Sequence, residues 1–368
     1  MKTIMLLIAL LSLALSASAA SFRVAKDGIA TYNEVQPAVN AAAAGDTIFI
    51  AASSAYYAGF NVDRRLVLYG AGTDTIPGQA TIINGVVEIQ GTADSTELSS
   101  VWITASNIAS GTDSLSAVLR IHSGALTVRI GRCIMENTYN SNTISSGGWV
   151  GRGATASFTD CGFWLSYNNN AAQRYCLSLT GNSPSCQVDV INCGFSVTST
   201  SQSYFYGIAT GGNSNVLTVR HAIFDNCRAI GGSAVGSVQN SISESLETFN
   251  VNGNVTTSYC AAPTGYVPAG VGNIVFNSTD FVNLVSGQPK RSNFHLSPSS
   301  ALANAGNPIA PPDEDGSRAD IGIYGGQTPY VEFGLPDFPV VLELEVPASV
   351  PQNGALHVGS RGRVGPGN

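Results

Sequence analysis

Residues 117–228 say nearly the same thing four times, and this restricts the fold more than any other feature of the chain. The units read AVLRIHSGALTVRIGRCIM, GWVGRGATASFTDCGFW, YCLSLTGNSPSCQVDVINCGFSV and YGIATGGNSNVLTVRHAIFDNC. Each holds an alternating apolar segment, a Gly- or Ser-rich break, a second alternating segment, and a corner where a small residue precedes an apolar one. The corners fall at Cys133, Cys161, Cys193 and Ala222, so they stand 28, 32 and 29 residues apart. A period of this size marks a stacked repeat, in which no unit buries its apolar face alone and a stack builds a continuous core.

Because such arrays grow by adding units, the length of 368 residues does not count domains. With 40 glycines, 11% charged and 44% hydrophobic residues, the chain reads as folded and turn-rich, without the charge excess of disorder. The opening MKTIMLLIALLSLALSASAA has a charged start at Lys2, a leucine-rich run and a small-residue end with Ala17-Ser18-Ala19 as a cleavage site. Residues 1–19 therefore read as a secretory signal. The run is short of the ~20 residues of a spanning helix, so a mature chain exported or held at the cell surface, without membrane insertion, is expected. Loss of Lys2 takes the net charge from −7 to −8, and the remaining bases form no stripe, which argues against a nucleic-acid partner.

Seven cysteines leave at least one without a partner in the chain. Cys133, Cys161 and Cys193 share one repeat position and are expected as an inward stack of small apolar side chains. Cys176 and Cys186, flanking one loop, are disulfide candidates, and Cys227 with Cys260 is a weaker pair. None has zinc-site spacing.

Before the repeats, Val35, Ala38, Val39 and Ala42 follow helical spacing. This predicts a helix over about 33–44, begun by a Thr31–Glu34 capping box or at Asn33, which places Pro37 near the first turn, and stopped at Gly45. Strands follow at 47–51 and 66–69. In the segment SSVWITASNI, Val101, Ile103, Ser106 and Ile108 match Val188, Val190, Cys193 and Phe195, so the repeat begins early. Past Gly231 the pattern loosens, with a loop expected near 261–272.

The opening VQPAVNAA, GDTI, Tyr57 and LYGAG resemble the N-terminal cap of the right-handed parallel β-helix proteins of the pectate-lyase-like superfamily. Phe294, Leu296, Ser297, Pro298, Ala305, Gly306, Asp313, Asp315, Gly316, Arg318, Asp320, Ile321, Gly322 and Tyr324 resemble that superfamily's final coil and cap. Gly325 stands where an acidic residue is usual. The resemblance implies an all-β, single-stranded right-handed parallel β-helix (a β-solenoid) over 20–328, with an N-terminal α-helical cap and a terminal coil and cap over about 273–326. Residues 329–368 are expected to add a β-hairpin, with strands at 340–346 and 355–358, and a Gly/Pro-rich tail.

Candidate site residues fall in two groups. Arg132, Asp160, Asn192 and His221 precede the corners and form one polar column, read as a turn ladder before a ligand strip. Trp149, Trp164 and Tyr167, with Asn168 to Asn170 and near Arg152 and Arg174, suit a sugar, whose ring faces stack on aromatics while amides meet its hydroxyls. Asp313, Asp315 and Asp320 suggest a calcium loop, but Arg318 lies among them and the later bidentate Glu of an EF-hand is missing, so a structural cap with Arg318 paired to a carboxylate is expected.

Enzymes of the resembled superfamily cleave acidic polysaccharides by calcium-assisted β-elimination or paired-carboxylate hydrolysis, both of which need clustered acids. Here Glu136, Asp160, Asp189 and Asp225 fall at different places in their units. The expectation is an exported surface or extracellular protein that engages a polysaccharide, a cell-surface glycan or neighbouring surface proteins as a binding, adhesive or structural module. No cofactor is expected. The alternative is a polysaccharide lyase or glycoside hydrolase on acidic polysaccharide, centred on Arg152, Asp160 and Arg174, and only that reading calls for calcium.

Overall fold

The computed structural model describes residues 19–28, 30–106, 116–139, 145–167, 174–181, 183–199, 205–212, 214–244, 249, 254–336, 339–345, 355 and 358–363. All but the last residue of the expected signal lie outside them, as do Asn168 to Asn170.

One full coil shows the plan. The chain runs through Val128–Gly131 on a first face, turns a corner, continues through Ile134–Tyr139 on a second, crosses to Ser145–Val150 on a third, and re-enters the first face at Thr155–Thr159. Each strand pairs in parallel with its equivalent one coil on, so that Ile130 stands beside Phe158 and Phe158 beside Val190. The first face stacks ten strands, from Ser21–Val24 to Asn254–Ser258. The chain is thus a parallel β-solenoid, right-handed as crossovers between parallel strands are.

In-register pairing places like on like in the bore. Phe163, Phe195 and Phe224 stack with centroids 4.9 and 5.0 Å apart and rings within 7° and 11° of parallel. That separation is the strand spacing itself. The corner cysteines form the expected column, with Val101 before and Ala222, Ser241 and Cys260 after them, and all seven are fully buried. All cysteines are free thiols, so the Cys176–Cys186 and Cys227–Cys260 pairings are corrected. Cys186 Sγ instead faces the Gly151 carbonyl at 3.0 Å, and Cys260 that of Val238 at 3.4 Å, because both belong to the bore.

The coil around Val101 is also corrected in register. Ile103 lies beside Met135, and Leu98 beside Ile130. Val101 is therefore the counterpart of Cys193 and Ile103 that of Phe195. Alternation of period two cannot tell the strand before a corner from the strand after it; the left-handed residue at Ser100 decides.

The predicted helix spans Val35–Ala41 and buries Val35, Ala38 and Val39 in the main core. Its N-cap is Glu34, not Thr31, and no side-chain capping bond forms. The Glu34 carboxylate is taken by Lys26 Nζ and by the Ala58 amide at 3.1 Å. Near the other end, the loop after Ala261–Ala262 lays Tyr266 and Val267 against the same core.

The segment expected as a terminal coil contributes only Ile274–Val275 to the stack, then doubles back along the outside. Ile223, Ile242 and Ala261 face outward on the second face and are buried with Phe276, Phe281, Leu302, Ile321 and Ile323 in a second apolar cluster. In the C-terminal hairpin Val340–Glu345 pairs antiparallel with Gly359–Arg363, a later second strand than the one expected at 355–358.

Candidate functional site

The four column residues Arg132, Asp160, Asn192 and His221, together with Ser100, Asn240 and Tyr259, occupy equivalent corners with φ between 51° and 61°. Asn and Asp adopt this left-handed region more readily than most residues, which explains the polar bias of the column. The side chains of Arg132, Asn192 and Asn240 fasten the returning segment 300–336. Asn192 Nδ2 donates to the carbonyls of Ile323 and Gly325 at 2.7 and 2.8 Å. Asn240 accepts from the Asn307 amide at 2.8 Å, and Arg132 donates to the Leu335 carbonyl at 3.2 Å. Arg132 Nε stands 3.8 Å from Asp160 Oδ2. His221 lies against Gly325 and Gly326, and burial pushes its imidazole down to about 4, so it is neutral. A Cβ at Gly325 would sit 2.2 Å from the Asp320 carbonyl and 2.7 Å from His221 Nδ1. That crowding leaves no room for a side chain at Gly325.

Between this strap and the first face runs a groove of about 660 Å³. Its floor begins at Phe49 and Tyr69, rings stacked at 5.9 Å and 24°, with Phe49 37% exposed. Next come Ser99 and the Arg129–Glu97 ion pair, with Nη1 2.5 Å from Oε1. Ser157, Thr159, Arg132 and Asp160 follow, and Thr328 and Pro336 from the strap form the wall. Sequence reasoning missed Phe49, Tyr69, Glu97 and Arg129. The expected strands at 47–51 and 66–69 contain Phe49 and Tyr69, but only in-register pairing stacks one on the other.

Of the aromatic group drawn together in sequence, Trp149 and Trp164 lie on different faces. Trp149 is buried on the third face, edge-on to His122 at 5.7 Å. Trp164 is outward as expected, but on the second face, edge-on to Trp102 at 5.9 Å, and Lys290 lies over both rings. The backbone of Tyr167 ends the strand Gly162–Tyr167. Arg174 is fully buried, while Arg152 is exposed in the turn between third and first faces with its stem against Gly181. Arg152, Asp160 and Arg174 therefore lie at a turn, at a corner and inside the third face, and form no common centre.

A cluster that sequence reasoning missed lies on the third face, where Glu88, Arg120 and Trp149 occupy one column. Arg120 Nη1 is 3.0 Å from Glu88 Oε1, His122 Nε2 is 3.9 Å from the same oxygen, and among the described residues the buried Trp149 Nε1 has no hydrogen-bond partner.

Glu136 and Asp225 serve the fold. Glu136 pairs with Lys290 at 2.7 Å. Asp225, fully buried, accepts from Ser196 Oγ at 2.6 Å and the Gly287 amide at 2.9 Å. Burial, opposed by those bonds and reinforced by Glu244, pushes its carboxyl up to about 7. The folded state thus holds a proton that the unfolded chain releases, and this contribution to stability falls as pH rises from about 4 to 7. His221 acts oppositely, and its contribution is lost as pH falls from about 6.5 to 4. Asp225→Asn is expected to leave urea midpoints that rise with pH across this window, where the wild-type profile is flatter; parallel profiles would contradict the assignment.

In the acidic loop Asp313 accepts from the amides of Gly326 and Asp320, Asp315 from Ser317, and Asp320 from Asn304. Arg318 donates to the carbonyls of Gly306 and Ala305 and not, as expected, to a carboxylate. Among the described residues no three His, Cys, Asp or Glu side chains gather as a metal-holding group.

No protein-family model and no curated protein matches the sequence. Among solved structures the chain is similar to a pectin methylesterase from carrot, with a TM-score of 0.39 and 14% identity over 72% of this chain and 91% of that one. It is also similar to pectate lyase Pel9A, with a TM-score of 0.39 and 15% identity over 85% and 98% of the two chains. At such values neither match bears on activity, and the fold rests on the strand pairing described above. By that pairing the chain is a right-handed parallel β-helix protein.

Proposed function

We propose that this chain engages an extended polysaccharide along the first-face groove, as an exported glycan-binding module. The observation that supports this reading is the groove itself, in which a partly exposed aromatic pair leads into a row of hydroxyls and a Glu–Arg pair. Stacked rings offer an apolar platform to a sugar face, and the hydroxyls and charges beyond them meet its oxygens. Successive coils set these different contacts in a line, one strand spacing of ~4.8 Å apart, which suits a polymer better than a compact ligand.

A second reading, a lyase or hydrolase on acidic polysaccharide, is favoured by the third-face cluster. There Glu88 and His122 offer a carboxylate and an imidazole beside the Arg120 cation.

Calorimetric titration with neutral and uronic-acid oligosaccharides tests the first reading. Binding should weaken about three- to tenfold in Phe49→Ala and in Tyr69→Ala, the loss of one aromatic contact. Unchanged affinities in both variants would remove the groove from the binding surface. Absorbance of unsaturated products and release of reducing ends, followed with the same sugars, read turnover. Product formation that Glu88→Gln abolishes would make the second reading the correct one.

A further inference from the structure

The groove does not end at Asp160. The outward column that carries Tyr69, Ser99, Gly131 and Thr159 continues through Ile191, Arg220 and Gln239. Beside those last residues lies a second cavity, of about 340 Å³, walled by the strap at Asn307, Gln327 and Thr328. Thr328 lines both cavities, so the two are consecutive stretches of one seam.

Their charges differ. In the first stretch the cations Arg129 and Arg132 each have a carboxylate beside them. In the second, Arg220 is exposed, and among the described residues its side chain has neither a hydrogen-bond acceptor nor an ion-pair partner. The nearby acids of the strap are committed elsewhere, Asp313 to the amides of Gly326 and Asp320, and Asp320 to that of Asn304. His221 is neutral, and Asn192 spends its amide on the strap carbonyls. Gln327 and Thr328 are exposed and bring further polar groups to the wall. A guanidinium that faces a cavity lined by both polar and apolar residues, with no counter-charge among the described residues, is complementary to an anion.

We infer that this second cavity is an anion subsite, in which Arg220 receives a carboxylate or sulfate borne by the glycan whose neutral portion lies over Phe49 and Tyr69. The inference rests on the groove reading above and adds the class of ligand, an acidic glycan. It also fixes the polarity of the seam, with the aromatic platform at one end and the anion at the other.

The test compares oligosaccharides of equal length, one neutral, one uronate-bearing and one sulfated, against wild type, Arg220→Gln and Arg220→Lys. Unchanged melting temperatures serve as the folding control, since Arg220 is exposed. Wild type should prefer at least one acidic sugar by about tenfold or more, the scale of one charge-assisted hydrogen bond. Arg220→Gln should abolish that preference while binding the neutral sugar as before, and Arg220→Lys should retain part of it. A preference for the uronate or for the sulfated sugar names the anion. If wild type binds neutral and acidic sugars alike, or if Arg220→Gln keeps the preference, the subsite is wrong while the groove reading stands. If wild type binds none of the three, the groove reading fails and the subsite falls with it.

Discussion

Replacing Phe195 by alanine is expected to lower the stability of the coil by about 3–5 kcal/mol, the range for deleting a fully buried phenylalanine. Phe195 lies in the middle of a column, with Phe163 on one side at 4.9 Å and Phe224 on the other at 5.0 Å, and it is wholly inaccessible to solvent. The surrounding backbone cannot collapse into the space, because each strand is held in register by neighbours on both sides. A cavity therefore remains, and the lost stacking adds to the lost burial. Urea denaturation followed by circular dichroism measures the effect. In a stack whose coils contact only their neighbours, the loss should fall first on the central coils, which hydrogen exchange resolves. A loss below about 1 kcal/mol would mean that the column is not continuous in solution.

The second large effect is expected at the seam. Asn192→Ala removes two buried hydrogen bonds and leaves the carbonyls of Ile323 and Gly325 without that donor. It also puts alanine at a φ of 51°, which costs a residue other than Gly or Asn roughly 1–2 kcal/mol. Together the expected loss is about 2–4 kcal/mol. Asn192→Gly separates the two causes, since glycine accepts the backbone conformation but donates nothing. Its loss should be smaller by roughly the backbone cost. Limited proteolysis adds a local readout: in Asn192→Ala, cleavage within 300–336 should precede cleavage of the coil. Equal losses in both variants would assign the whole effect to the hydrogen bonds, and an unchanged proteolytic pattern would show that Asn192 does not fasten the strap.

The fold was legible wherever one residue decided one thing. Cys133, Cys161 and Cys193 were small, apolar and periodic, and they stack as read. The register around Val101 was misread because alternation has the same period on both sides of a corner. What identifies the corner is a backbone conformation, and at Ser100 no Asn or Asp announces it. The disulfide expectation failed for a related reason. Cys176 and Cys186 flank one loop in sequence, but both point into the bore at different places, and nearness along the chain does not bring thiols together.

The candidate sites were legible in part. The column of Arg132, Asp160, Asn192 and His221 was visible as a ladder, and its occupant was not, since residues 300–336 arrive from more than a hundred positions away. The grouping of Trp149, Trp164 and Tyr167 rested on closeness in sequence, and successive strands of one coil face different ways. Phe49 with Tyr69, and Glu97 with Arg129, meet only because neighbouring coils pair in register.

By itself the sequence determined the periodic stack, the inward columns and the helix near residue 38, because each follows from apolar spacing within a few residues. Only the tertiary structure decided where the chain goes after Ile274–Val275 and which outward residues stay open to ligand. Outward apolar residues such as Ile223 and Ile242 demand a cover without specifying which segment supplies it. The strap that covers them also raises the wall of the groove and of the Arg220 cavity. These sites belong to contacts between distant parts of the chain, and no local pattern encodes them.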